Sequence, residues 1–151
     1  MSPQWSNPVP PGWPRISISL AYQSPAEAID WLCRAFGFEV RVKVIGDDGG
    51  VVHSELTFGD GVIMVAGERS GPDVLARSPR SLGGACTQGL FIYVDDIQAH
   101  YERACAVGAK VTRELAVSDY GAEYWADRGY AVSDPEGHHW HFAQRLRNPV
   151  T

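Results

Sequence analysis

The chain is short of the residues that usually announce a function. Its three cysteines (Cys33, Cys86 and Cys105) are an odd number at wide spacing, with no Cys-x-x-Cys pair among them. That argues against a disulfide framework or a zinc knot and fits reduced thiols in a cytoplasm. No run of about 18 apolar residues is present to span a bilayer, and the N-terminus lacks the charged-then-apolar pattern of a signal peptide. No segment concentrates Lys and Arg, and the formal net charge is -5, so nucleic acid is not an expected partner. Phosphate loops, dinucleotide fingerprints and Ser-His-Asp spacings are likewise missing. The expectation is a cytoplasmic protein without a membrane or nucleic-acid partner.

What the sequence does contain is concentrated near its C-terminal end. Gly129 to Gln144, GYAVSDPEGHHWHFAQ, reads as two strands joined by Asp134-Pro135-Glu136-Gly137. Asp at i, Pro at i+1 and Gly at i+3 suit a type I turn. Side chains alternate faces along the second strand, so Trp140 and Phe142 point to one side and His139 and His141 to the other. One face is built for a core; the other carries two imidazoles at ligand spacing. His138, next to the turn glycine, is expected at the surface.

Upstream, residues 1–14 hold five of the ten prolines and read as an extended arm that Trp5 and Trp13 could dock. Arg15 to Tyr22 alternates as a strand. Ser24-Pro25-Ala26-Glu27 reads as a capping box with Pro at the first helical position, and Gly37 ends the helix. Strands follow over 38–45, 51–58 and 62–66, the last two joined around Gly59-Asp60-Gly61. Residues 67–88 lose all periodicity and read as a connector, a candidate flap. Then the order repeats: a strand over 89–94, a helix capped by Asp95 or Asp96 and ended by Gly108, a strand over 110–114, a loop, and the closing hairpin. Cys33 and Cys105 fall on the sheet-facing sides of the two helices. Setting Gly37 on Gly108 (108 − 37 = 71) superposes AEAIDWLCRAFGFEV on IQAHYERACAVGAKV. An internal repeat of this length outranks any local assignment.

In this order and at this repeat length, AIDWLCRAFGFEV, HSELTFGDGVIMVAGE, GLFIYVDDIQAHYERACAVGAKV and YAVSDPEGHHWHF resemble the vicinal oxygen chelate superfamily. That group contains glyoxalase I, extradiol dioxygenases and bleomycin-resistance proteins. The resemblance spans residues 15–145 and implies an α+β fold: two βαβββ modules forming a cup-shaped mixed sheet. Module one is expected over 15–66, module two over 89–145, and a tail over 146–151. It also implies a homodimer and a small-molecule ligand inside the cup. Metal-using relatives place ligands on the first and last strands of each module. By position these fall on Ser17, on Met64 or Val65, on Gly89 and on His141, and only His141 suits a transition metal. No cofactor is expected, with a divalent metal left open by the His139/His141 and His53/Glu55 pairs.

Candidate catalytic groups are His141, Glu55 and His53. Candidate ligand-binding residues are His139, Arg128, Tyr130, Trp125, Tyr22, Met64, Leu90 and Phe91. An arginine in a cup offers a fork for a carboxylate or phosphate, and the aromatic side chains offer stacking surfaces. Three readings follow. One is a metal-free cup that binds a small organic molecule, including sequestration of the bleomycin-resistance kind. Another is a glyoxalase-like lyase or isomerase using His141 with Glu55 or His53. The last is an accessory module whose cup is filled by Met64, Leu90 and Phe91.

Overall fold

The computed structural model describes residues 9–150, so Trp5 lies outside the described residues. Its elements run β1 (Ile18–Tyr22), α1 (Pro25–Phe36), β2 (Glu39–Ile45), β3 (Val51–Phe58), β4 (Gly61–Gly67), a 3-10 turn (Pro79–Leu82), β5 (Gly89–Tyr93), α2 (Ile97–Ala106), β6 (Lys110–Asp119), β7 (Ala126–Ser133) and β8 (His139–Arg147). The strands form two four-stranded sheets, β1-β4-β3-β2 and β5-β8-β7-β6. In each, the first and last strands are parallel and the rest antiparallel. The two βαβββ modules are therefore present. β6 runs five residues past the expected strand, and β8 takes in the start of the expected tail.

The repeat shows in how the helices end: Gly37 and Gly108 both sit at φ 84°, a left-handed conformation that costs a side chain dearly. The helices begin differently. Asp96 caps α2 by accepting from the Ala99 amide at 3.0 Å. Ser24 makes no side-chain cap, so the expected capping box does not form. Instead, the Glu136 carboxylate from the other module accepts from the Gln23 amide at 2.6 Å and the Ser24 amide at 2.9 Å. A negative charge there also meets the positive end of the helix dipole.

One apolar core serves both modules. Leu20, Ile29, Leu32 and Val65 of module one join Ile97, Val132, Trp140 and Phe142 of module two. Phe36 near the end of α1 touches Trp140 and Phe142, with ring centroids 5.3 and 4.7 Å apart. The helix-bearing faces of the two sheets are thus turned toward each other, and the opposite faces turn outward.

A second bond between the modules is polar. Asp134 is buried, its Oδ2 accepting from the Tyr22 hydroxyl at 2.6 Å and the Trp140 indole at 3.1 Å. Its Oδ1 accepts from the amides of Glu136, Gly137 and His138. His138 is itself buried, against the surface position expected, because its Nε2 donates to the Ala21 carbonyl at 2.8 Å and its ring lies 4.6 Å from Tyr22. The connector is anchored too: buried Ser78 donates to Glu136 at 2.6 Å, and Ser81 donates to Glu68. Cys105, expected against the sheet, is exposed.

Candidate functional site

The outward faces carry the polar chemistry. On the first sheet, Glu55 pairs across from Met64, which pairs in turn with Ser19. Val65 goes into the core, so Met64 is the β4 residue that faces outward. His53 Nε2 donates to Glu55 Oε1 at 3.0 Å, since a carboxylate only accepts. Arg41 grips Glu55 Oε2 through Nε and Nη2 at 2.9 and 2.8 Å. These contacts, led by the His53 hydrogen bond, hold the Glu55 carboxyl below its usual range. Arg41 also donates to the Gly12 carbonyl and lies 4.7 Å from the Trp13 ring, so the described end of the arm docks on this face.

On the second sheet the outward residues are Gly89, Phe91 and Tyr93 of β5, His139 and His141 of β8, and Asp127, Gly129 and Ala131 of β7. Phe91 and His141 are register partners with ring centroids 4.6 Å apart. Arg113, across β6 from Ala131, donates from Nη2 to His141 Nε2 at 2.9 Å. A guanidinium cannot accept, so Nε2 is the acceptor and the proton of the neutral ring sits on Nδ1. Burial first, and the Arg113 charge second, push His141 below the usual imidazole range. Farther along, Arg145 is held by Asp127 at 2.6 Å and lies over Tyr93 and Trp125 at 5.2 and 5.6 Å.

The expected site residues therefore sort into three groups. Phe91, Trp125, His139 and His141 share the outward face of the second sheet or its rim. Met64, His53 and Glu55 share that of the first. Tyr22, Tyr130, Arg128 and Leu90 do not face outward. Tyr22 and Tyr130 are 1% and 0% exposed, the former bonded to Asp134 and the latter to His100 Nδ1. Arg128 reaches Gln98 on α2, while Leu90 packs against the core and also lines the open space on either side of β5. Within one chain, His141 and the His53/Glu55 pair lie on opposite outward faces and do not meet. Arg113, Tyr93, Arg145 and Arg41 are additions that the sequence reading missed. Arg113 was hidden by register shifts on either side of it, which break the period-two rule.

An apolar groove of about 660 Å³ runs between the start of β1, the β3–β4 turn and the free edge of β5. The Ser17 hydroxyl oxygen is buried without a partner among the described residues.

Two sheets of order first-last-third-second, built from tandem βαβββ units, match a known architecture. The model of the Glyoxalase/Bleomycin resistance protein/Dioxygenase superfamily covers residues 16–142. The chain belongs to this superfamily. An uncharacterized protein of Mycobacterium bovis is 33% identical over 141 residues, which cover 89% of this chain and 85% of that protein. One from Mycobacterium tuberculosis has the same identity, with 76% of its length covered. Among solved structures, TioX from Micromonospora sp. ML1 superposes with a TM-score of 0.65 at 30% identity, covering 87% of this chain and 98% of TioX. TnmS3, an antibiotic binding protein from Streptomyces sp. CB03234, shares the fold at a TM-score of 0.58 and 19% identity, covering 85% and 93%.

Metal-using members of the superfamily raise the question of a metal. At the four positions stand Ser17, Met64, Gly89 and His141: a hydroxyl, a thioether, no side chain and one imidazole whose Nε2 is already engaged. Among the described residues, no three His, Cys, Asp or Glu gather into a metal-binding group. The donor set does not fit a divalent ion.

Proposed function

We propose that the chain acts as a homodimer that holds a small organic molecule between the outward face of the first sheet of one copy and the outward face of the second sheet of the other. One observation carries this reading. Phe91 and Tyr93 are about half exposed on an outward face, with Trp125 at its rim, although this protein buries Tyr22, Tyr130, Phe36, Trp140 and Phe142 completely. Large rings left in water side by side mark a surface awaiting a partner. Exposed Val42 and Val44 lie across from Glu55 and His53 on the other face, and Ile16 stands 86% exposed at the groove. Those faces point apart in one chain, so enclosing a ligand takes two. The antibiotic binding activity named for TnmS3 supports such a role for the fold.

A lyase or isomerase working through His141 with Glu55 or His53 has less support. Both Glu55 oxygens are taken, and the His141 lone pair already accepts from Arg113. General base catalysis requires a free lone pair at the proton it takes. The test is size-exclusion chromatography with light scattering, followed by thermal-shift screening of aromatic natural products and isothermal titration calorimetry of hits. A dimer that binds one or more compounds in the micromolar range or tighter is expected. A monomer at micromolar concentration that no compound stabilises would sink the proposal.

A further inference from the structure

We infer that Arg113, with His141 and Phe91, forms a subsite for the carboxylate of a planar aromatic acid; this deepens the cup reading above and rests on it.

The arginines of the outward faces are otherwise matched. Arg41 pairs with Glu55 and Arg145 with Asp127, while Arg147, at the end of β8, pairs with Asp119. Arg113 is exposed and has no carboxylate partner among the described residues, where its one side-chain hydrogen bond goes to a neutral imidazole nitrogen. That bond uses one donor of five and cancels none of the charge. In a protein of net charge -5, a guanidinium kept free of every acidic side chain near it is a directed feature.

The surroundings fix what it accepts. Because Nε2 of His141 accepts from Arg113, Nδ1–H of the same ring is left as a second donor with no partner among the described residues. Arg113 and His141 thus offer donors only, with His139 bordering the same hollow, and that pair favours a ligand group that only accepts: a carboxylate, taken in the forked manner that guanidinium favours. Phe91, its ring tilted 48° against His141 with centroids 4.6 Å apart, provides an exposed apolar surface on which a ring joined to that carboxylate can lie. A hollow of about 230 Å³ opens over Gly89, Phe91, Ala131 and His141. Gly129 makes the arrangement possible, since a Cβ there would come within 3.1 Å of His141 Nε2.

The experiment is calorimetric titration of the full chain with 2-naphthoate and its neutral analogue 2-naphthamide. The wild type is expected to bind the acid at least tenfold more tightly than the amide. Arg113→Met should reduce the acid to the affinity of the amide, and Phe91→Ala should weaken both while keeping their ratio. Both positions are exposed, and unchanged melting temperatures confirm that the variants fold. Equal affinity for acid and amide would overturn this inference and leave the cup reading standing. A preference that survives Arg113→Met would overturn the assignment to Arg113. No binding of either compound would overturn the aromatic-acid class, and the screening described above then decides the cup reading separately.

Discussion

Asp134 offers the sharpest test of how the modules are joined. Its carboxylate is 4% exposed and takes five hydrogen bonds: Tyr22 and Trp140 side chains on Oδ2, and three turn amides on Oδ1. Asp134→Asn keeps an oxygen for the amides but sets an NH2 against the Trp140 Nε1–H, which can only donate. One stranded buried donor costs about 1–3 kcal/mol, and losing the charge weakens the remaining bonds by roughly 1 kcal/mol more. The expected loss is about 2–4 kcal/mol out of a total of roughly 5–15 kcal/mol. At this chain length that lowers the melting midpoint by about 5–15 °C. Asp134→Ala strands turn amides as well and should cost about 4–6 kcal/mol.

The coupling to module one can be isolated. Tyr22→Phe removes a hydrogen bond to a charge in the wild type, for about 1.5–3 kcal/mol. In the Asp134→Asn background the hydroxyl can turn to accept from the new amide, so the same change should cost less than about 1 kcal/mol. Urea denaturation of the four proteins then yields a coupling energy of about 1 kcal/mol or more. An Asp134→Asn variant within about 0.5 kcal/mol of wild type, or strictly additive effects, would refute the idea that this carboxylate holds the modules together.

Other outcomes follow from the same geometry. Burial holds His100 below the usual imidazole range, with Nε2 donating to the Phe36 carbonyl and Nδ1 accepting from Tyr130. His141 is shifted the same way. As pH falls below about 6.5 the unfolded chain takes up these protons first. The stability they contribute is therefore present above that pH and lost as pH drops toward the folded-state values. The urea midpoint should be lower at pH 5.5 than at pH 7.5, and His100→Gln should flatten the difference; a midpoint independent of pH would contradict this. Gly129→Ala would bring a Cβ within 2.7 Å of the Phe142 carbonyl as well as against His141. It should destabilise by about 1–3 kcal/mol and displace the His141 ring, visible as a shift of its imidazole NMR signals. Glu136→Gln should loosen the connector, so limited proteolysis between residues 68 and 88 should quicken before global stability collapses; an unchanged cleavage rate would show that Ser78 is held some other way.

Much of this molecule could be read from the chain. The turn Asp134–Gly137, the glycine pair Gly37/Gly108 and the helical spacing between them identified the repeat, and with it the fold. The misplaced residues are instructive. Register pairs in the closing hairpin run Ser133 with His139, Val132 with Trp140 and Tyr130 with Phe142. Counting back from the turn puts Tyr130 beside Phe142, already a core residue, so its place was available from the sequence. Leu90 and Tyr22 likewise share parity with the core residues Ile92 and Leu20. Arg113 is different in kind, because irregular pairing in β6 erases parity. The buried Glu136 and His138 were not legible either: their partners, Gln23, Ser24 and Ala21, are more than a hundred residues away along the chain.

That last separation governs how the protein folds. The first turn of α1 has its amides satisfied by a carboxylate that arrives only when the final hairpin is in place. Closing so long a loop is slow relative to local helix and hairpin formation. Although the two halves repeat one pattern, neither carries what it needs to complete itself. A chain cut in the connector should yield two fragments that are unstructured alone and regain structure on mixing, a single cooperative unit written as a duplication.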